Sequence, residues 1–593
     1  MTVALVLAGE ADAGLCGQLA ALGVRRVDVA SRHEGTEGAG PGLLTVAAAA
    51  RTAGERVLIC IGTDTVPEPV LARLLDAGGT AAFTGVTPKT PRTPKTPPQP
   101  RTVSAALVVD PPDLDALAEA AETLAATQAG PGPFRPVAPA GALIGELGRR
   151  GVTVRILDAG PDSEGAVTQL VADPAARDMA RWAAWRQLTP AALYGISLGL
   201  GLVAALWFAE LAVHAKLLAT AALAGSFLFA RTGSLLAAAS RDGRIRPVTG
   251  WLGTASGLLT ELAIYAALVV SAGVAPERSA TGLDGTFGGA LQHTWVATFG
   301  GAGTAGMWRL AIAALLLLGV RKLAQLGYEQ TAGPSGDLFP RSGLRTVEQA
   351  LTFPAGERYA VIVATSVFVG SRLTFLVLLG WGGLATGYLL AGQIARSARA
   401  PDEERAGGGT LPAYRGDGAL SSWVGALVDG RLPPLPPLLV GLFVTGVLAA
   451  LGLGNLPGIL VLTPVEVMML AALGARHPHD GRLDWLAPAL LLAGEGVFLA
   501  ALGLARGVTP WLVYTLLAAV LVRHIDLACR ARAGQGITAD IYGLGWDGRM
   551  LLAGVAAVAG IVPLAYAVLS GYLWLLFIWD FLSEWLAPAA PGP

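Results

Sequence analysis

The sequence predicts an α/β domain with a parallel sheet over residues 1–180, followed by a polytopic all-α membrane region of about 10–12 helices. Three observations carry this reading. Only 14% of the 593 residues are charged and the mean hydropathy is +0.56, so much of the chain suits a bilayer rather than water. Up to about residue 180, short β-rich runs alternate with alanine- and leucine-rich stretches, the pattern of βαβ units. From Leu188 onward, apolar runs long enough to span a bilayer follow one another.

In the first region the strand runs are VALVLAG (Val3 to Gly9), VRRVDVAS (Val24 to Ser31), RVLICIG (Arg56 to Gly62) and SAALVVD (Ser104 to Asp110). EPVLARLLDAG and LDALAEAAETLAAT between them read as helices. TPKTPRTPKTPPQPR (Thr87 to Arg101) is too rich in proline for helix or sheet and reads as a basic, extended surface loop.

The second region opens with LTPAALYGISLGLGLVAALWFAE. Further spans are expected near 213–230, 251–273, 304–320, 359–379 and 381–395, and then near 435–453, 456–474, 485–505 and 508–522. The run 550–582 exceeds one span, and Pro563 or Gly571 can divide it. Arg231, Arg241, Arg244 and Arg246 lie between the second and third spans, and Arg321, Lys322, Arg341, Arg345 and Arg358 between the fourth and fifth. The loop 274–303 holds only Arg278. The positive-inside rule therefore expects a multi-pass plasma-membrane protein with its basic loops and N-terminal domain in the cytoplasm. The opening residues lack a signal-peptide pattern, in keeping with a cytoplasmic start. The polar stretch 400–432 sets the expected boundary between a membrane domain over 181–400 and another over 401–593.

Composition also excludes. A net charge of −1 gives no footprint for nucleic acid. Cys16, Cys60 and Cys529 are too far apart for a metal knuckle or a disulfide framework.

One row of residues poses a chemical question. Gly253, Gly257 and Glu261 recur every fourth residue, so they share one face of an apolar helix. The residues around them answer it through a resemblance. LTPAALYGISLGLGLVAALWFA, the set Pro247, Trp251, Leu252, Glu261 and Tyr265, and FPAGERYAVIVATSVFVGSRLTFLVLLGW (Phe353 to Trp381) together resemble the CDP-alcohol phosphatidyltransferase family over about residues 185–400. The resemblance implies six membrane helices, a CDP-linked donor, an alcohol acceptor and release of CMP. It also implies Mg2+ held by four aspartates of D-x-x-D-G-x-x-A-R and G-x-x-x-D-x-x-x-D at the cytoplasmic helix ends. Such cations neutralise the diphosphate, and an aspartate takes the proton from the attacking hydroxyl.

Here the four aspartate positions fall on Thr232, Leu235, Gly253 and Gly257, and the arginine position falls on Ser240, with Arg241 beside it. No metal ligand set is expected. Asp242, Glu261 and Arg241 remain as a candidate polar site, and Arg244, Arg246, Arg321 and Lys322 as headgroup-binding candidates. Simple anchoring at the cytoplasmic face is the other reading of those cations. Close helix packing is the other reading of the glycines.

The N-terminal region resembles nucleotidyltransferases of the sugar-phosphate and molybdenum-cofactor type through VALVLAG and RVLICIGTDTVPEPVLARLLDAG, in a degenerate form. The phosphate-binding G-x-G-x-R is missing from LAGEADAGLCGQLAALG, and Asp64 alone stands where that type carries a metal-binding aspartate. A helix-capping aspartate is the alternative reading of Asp64. In the last region, YGLGWDGRMLLAG places Asp547 and Arg549 at a helix entry and resembles a C-terminal domain carried by some actinobacterial members of the same family. His477, His479, Asp480 and Asp484 read as a loop, His524 and Asp526 as residues just past a span. Arg372, Glu466 and Glu495 lie inside apolar runs, where an ionisable group needs a partner or a wet cavity.

The function expected is that of a degenerate family member, a pseudoenzyme that binds phospholipid or a CDP-linked lipid. It would act alone, as a homodimer, or as a heterodimer with an intact paralogue. A regulatory or scaffold subunit without any lipid-transfer role is the alternative, and a transporter a further one.

Overall fold

The structure is a computed structural model. It describes strand residues at 2–6, 26–29, 56–61, 81–86, 103–109 and 155–156, scattered residues from 113 to 168, and most of 172–586. Within that last stretch 187, 240–246, 275–303, 333–351, 400–413, 429–431, 533–539 and five positions in 454–480 lie outside the described residues. The chain divides into two compact units, residues 1–163 with 235–245, and residues 164–234 with 246–593.

The first unit holds one sheet built from β1 (Thr2–Val6), β2 (Arg26–Val29), β3 (Arg56–Ile61), β4 (Ala81–Val86), β5 (Val103–Val109) and β6 (Arg155–Ile156). Their order is β2-β1-β3-β5-β4-β6. The pairs β1–β2, β1–β3 and β4–β6 are parallel, but β5 runs antiparallel to both β3 and β4. The expected parallel sheet is thus corrected to a mixed one. The physical reason lies in the connection. Parallel neighbours need a long crossover, usually a helix, whereas antiparallel neighbours do not. The segment joining β4 to β5 is the proline-dense stretch, which cannot supply a crossover helix. Of the helices expected here, residues 114–116 and 119 of LDALAEAAETLAAT are helical, whereas EPVLARLLDAG, the proline-rich loop and Asp64 lie outside the described residues.

The second unit is helical. An amphipathic α1 (Asp173–Trp185) precedes α2 (Pro190–Phe208), whose Leu-Thr-Pro entry has a local cause. The Thr189 hydroxyl caps the helix by accepting from the Ala192 N–H, and Pro190 occupies the first turn, where its missing N–H is harmless. Then come α3 (Val213–Ala239), α4 (Pro247–Val274), α5 (Thr304–Ala332), α6 (Ala355–Phe368) and α7 (Ser371–Arg399). Beyond residue 401 follow α8 (Ala419–Val428), α9 (Leu435–Ala450), α10 (Thr463–Met468), α11 (Ala487–Ala505), α12 (Pro510–Arg532), α13 (Gly545–Val558) and α14 (Val562–Leu586). Among the described residues eight helices are long and apolar enough to cross a membrane, and three apolar helical stretches are shorter. The chain is a multi-pass helical membrane protein.

Four expected spans are redrawn. The break expected near residue 380 falls instead at Gly370, whose φ of +136° only glycine adopts without strain, so α6 is short and α7 runs through to Arg399. The segment expected at 456–474 is a broken helix, α10 flanked by 3-10 turns at Gly458–Leu462 and Met469–Gly474. The last apolar run is divided at Gly560 (φ +74°), just before Pro563, while Gly571 lies inside α14.

One continuous apolar core runs across residue 401. It joins Leu262, Tyr265 and Leu318 of the earlier helices to Leu492, Leu521 and Tyr566 of the later ones. Small residues allow this closeness. A Cβ on Gly319 would lie 2.7 Å from the Leu521 side chain, and the Tyr514 hydroxyl donates to the Leu262 carbonyl oxygen at 2.7 Å.

Candidate functional site

The row Gly253, Gly257 and Glu261 lies on α4, and its three members meet three different environments. At Gly253 the Tyr194 ring of α2 lies so close that a Cβ would fall 2.8 Å from Cζ. The same ring closes on Gly233 of α3, 2.9 Å from a Cβ there. Tyr194 therefore occupies the space between α3 and α4 that side chains at 233 and 253 would need. A Cβ at Gly257 would meet nothing beyond its own helix within 4 Å among the described residues. Glu261 is 3% exposed, and one carboxylate oxygen accepts from an Nη of Arg358 on α6 while the other has no hydrogen-bond partner among the described residues. Arg358 also donates to the Phe353 carbonyl oxygen at 3.2 Å.

Packing by small residues thus describes Gly253 and not Gly257. Thr232 is buried, with its hydroxyl bonded back to the Leu228 carbonyl oxygen at 2.8 Å, as a threonine inside a helix commonly does. Leu235 lies on α3 and offers no polar atom. These residues do not fit Mg2+. A hard cation needs about six oxygen ligands, and this row offers one carboxylate already neutralised by a guanidinium. Among the described residues no group of three or more His, Cys, Asp or Glu could hold a metal ion. Asp242, Arg241, Arg244 and Arg246 lie outside the described residues. Arg321 is buried on α5 and donates to the Thr352 carbonyl oxygen, and Lys322 is partly exposed beside it.

A larger polar centre lies in the last third of the chain. Glu495, midway along α11, is fully buried and takes a bidentate pair from Arg549 of α13, at 2.6 Å from Nε and 3.0 Å from Nη2. The same carboxylate lies 3.0 Å from Nε2 of His524 on α12, which is also fully buried. Arg549 further donates to the Gly543 carbonyl oxygen at 2.9 Å and lies 3.6 Å from Asp540. Asp540 passes the network to Arg523 at 2.7 Å. Arg523 reaches Asp526 at 3.1 Å and Asp580 of α14 at 2.6 Å, and Arg530 closes on Asp526 at 2.9 Å. Burial pushes the Asp540 carboxyl up, but hydrogen bonding and the charge of Arg523 outweigh it and hold the group below its ordinary value.

A second polar knot adjoins α8. Arg415 is fully buried and paired with Asp417 at 2.7 Å, and it donates to the Ala471 carbonyl oxygen at 2.9 Å. The Trp546 indole N–H donates to Asp417 at 2.8 Å. The Asp547 carboxylate accepts the Gly418 and Ser421 amide protons, at 2.7 and 2.8 Å. It is an N-terminal partner of α8, supplied by α13 rather than by α8 itself. His479, at φ +56° in the loop after Gly474, is buried beside this knot. Burial and the charge of Arg415 lower its pKa to about 4, so it stays neutral at pH 7. His477 and Asp484 stand 3.8 Å apart in the same loop, and Asp484 accepts from the Gly481 N–H at 3.0 Å.

The structure therefore joins Asp547, Arg549, His524, Asp526 and Glu495, each singled out by the sequence, into neighbouring networks. It leaves Arg372 and Glu466 outside both. Tyr194, Arg415, Asp417, Arg523, Asp540 and Asp580 were not legible as site residues. An unmatched acid in one apolar run is a signal that a cation must come from elsewhere, but it does not say which cation.

Fold and site together define a helical multi-pass membrane protein in which the buried acids Glu261, Glu495, Asp417 and Asp540, among the described residues, are each paired with an arginine. No family model matches the chain, and no curated protein matches it.

Proposed function

We propose that this chain acts in phospholipid head-group metabolism as a degenerate CDP-alcohol phosphatidyltransferase. In this reading it has lost the metal-dependent transfer step and works by holding a phospholipid or CDP-linked lipid, or as the partner subunit of an intact enzyme. The N-terminal α/β unit is read as a degenerate nucleotidyltransferase-like domain on the cytoplasmic side. One observation supports the loss of transfer chemistry above the rest. Where the resemblance calls for carboxylates, Gly253 is covered by Tyr194, Thr232 is bonded to its own helix, and the neighbouring acid Glu261 is paired with Arg358. Without metal, the diphosphate of a CDP-linked donor has nothing at this row to neutralise it.

The test is CMP release from CDP-diacylglycerol by the purified protein in liposomes, with Mg2+ or Mn2+ and a pool of alcohols. The expected result is no metal-dependent release above a mock preparation, together with phospholipid or CDP-lipid retained on the purified protein by mass spectrometry. Metal-dependent release would overturn the reading.

A further inference from the structure

Two glutamates each sit midway along an apolar helical segment and meet opposite fates. Glu495 lies midway along the span Asp484–Ala505 and is buried against Arg549 and His524. Glu466 lies midway along Gly458–Gly474. That segment reaches between the same two ends of the bundle. At one end Arg506, just past α11, donates to the Leu456 carbonyl oxygen at 3.1 Å. At the other, Ala471 is held by Arg415, and Gly474 packs so tightly on Pro434 that a Cβ would meet it at 2.5 Å. Its broken geometry gives it the length. Seventeen α-helical residues cover only about 25 Å, but 3-10 turns at both ends stretch the segment to about 31 Å, close to the hydrocarbon thickness.

Glu466 is exposed, in one outward stripe with Ile459 (69% exposed) and Leu470 (42%). Among the described residues its carboxylate has no hydrogen bond or ion pair. An ionisable group at mid-bilayer depth almost always faces a partner or water. The glutamate is too short to reach either interface from there. This chain holds no described cation suited to meet it from a second copy. Arg321, Arg523 and Arg549 are committed inside the bundle, Lys216 donates to the Ser366 carbonyl oxygen, and Arg309 and Arg372 sit within a few residues of helix starts.

We infer that the Ile459–Glu466–Leu470 stripe is a docking surface for a transmembrane helix of another polypeptide. That helix carries a lysine or arginine at mid-bilayer depth, which pairs with Glu466. This does not depend on the lipid-metabolism reading, because the charge argument holds for any membrane partner.

The experiment places a photo-crosslinking residue at Leu470 in the full-length chain, in native membranes, and identifies the adduct peptide by mass spectrometry. The expected adduct is a membrane-spanning segment of a second protein with a lysine or arginine within a turn of the crosslinked residue. Glu466→Gln should abolish the adduct without changing the Tm of the purified chain. Glu466→Lys paired with an acid at the partner's basic position should restore it. Adducts to lipid alone, to another copy of this chain, or to a helix without a basic residue would overturn the inference. So would an adduct that survives Glu466→Gln.

Discussion

At the residue scale, two glycines one helical turn apart make different demands. Gly253→Ala drives a methyl into the Tyr194 ring, and overpacking of this kind costs about 1–3 kcal/mol. Gly257→Ala meets open space and gains helix propensity, about 0.5–1 kcal/mol. Thermal unfolding in detergent should therefore show a lowered Tm for the first and an equal or raised Tm for the second. Tyr194→Ala should relieve the first. Equal effects at the two positions would remove Tyr194 as the cause. His479 makes the second residue-scale prediction. Its pKa is lowered from 6.5 to about 4 in the fold, so between those values the unfolded chain binds a proton that the folded chain does not. Its contribution is intact above pH 6.5 and is lost as pH falls toward 4, by up to about 1.4 kcal/mol per pH unit. His479→Asn tolerates the positive φ and does not titrate, so its Tm should fall less than that of the parent between pH 7 and pH 5.

At the element scale, the ion pairs decide which helices belong together. α11, α12 and α13 meet at Glu495, His524 and Arg549, and α14 joins through Asp580. Removing one member of a buried pair strands the other and costs about 3–5 kcal/mol. Glu495→Gln and Arg549→Met should each lower stability by that order. The double replacement should cost clearly less than the two singles added, because it leaves no stranded charge. Additive losses in a denaturation series would show that the two do not act as a pair. Element boundaries follow the same logic. The division of the last apolar run was legible from its length and Pro563. The choice of Gly560 over Gly571 was not, since it depends on which glycine the packing drives to positive φ.

At the scale of the whole molecule, the positive-inside rule makes one prediction about topology. Cysteines placed in the loop 274–303 should react with an impermeant thiol reagent from outside the cell, and cysteines in 400–413 should react only after lysis. The reverse pattern would invert the protein and move every cytoplasmic assignment with it. Membrane character, approximate span positions and the lack of a carboxylate at Thr232, Leu235, Gly253 and Gly257 were readable from residue order alone. Hydropathy is a sum over neighbours in sequence, and a motif is a spacing along one helix. The reversal of β5, the Tyr194 ring between Gly233 and Gly253, and the pairing of Glu495 with Arg549 were decided by the tertiary structure. Each joins groups far apart in the chain, and a buried charge specifies only that a partner exists. Which partner it finds depends on how the helices pack, and at Glu466 that packing extends beyond this chain.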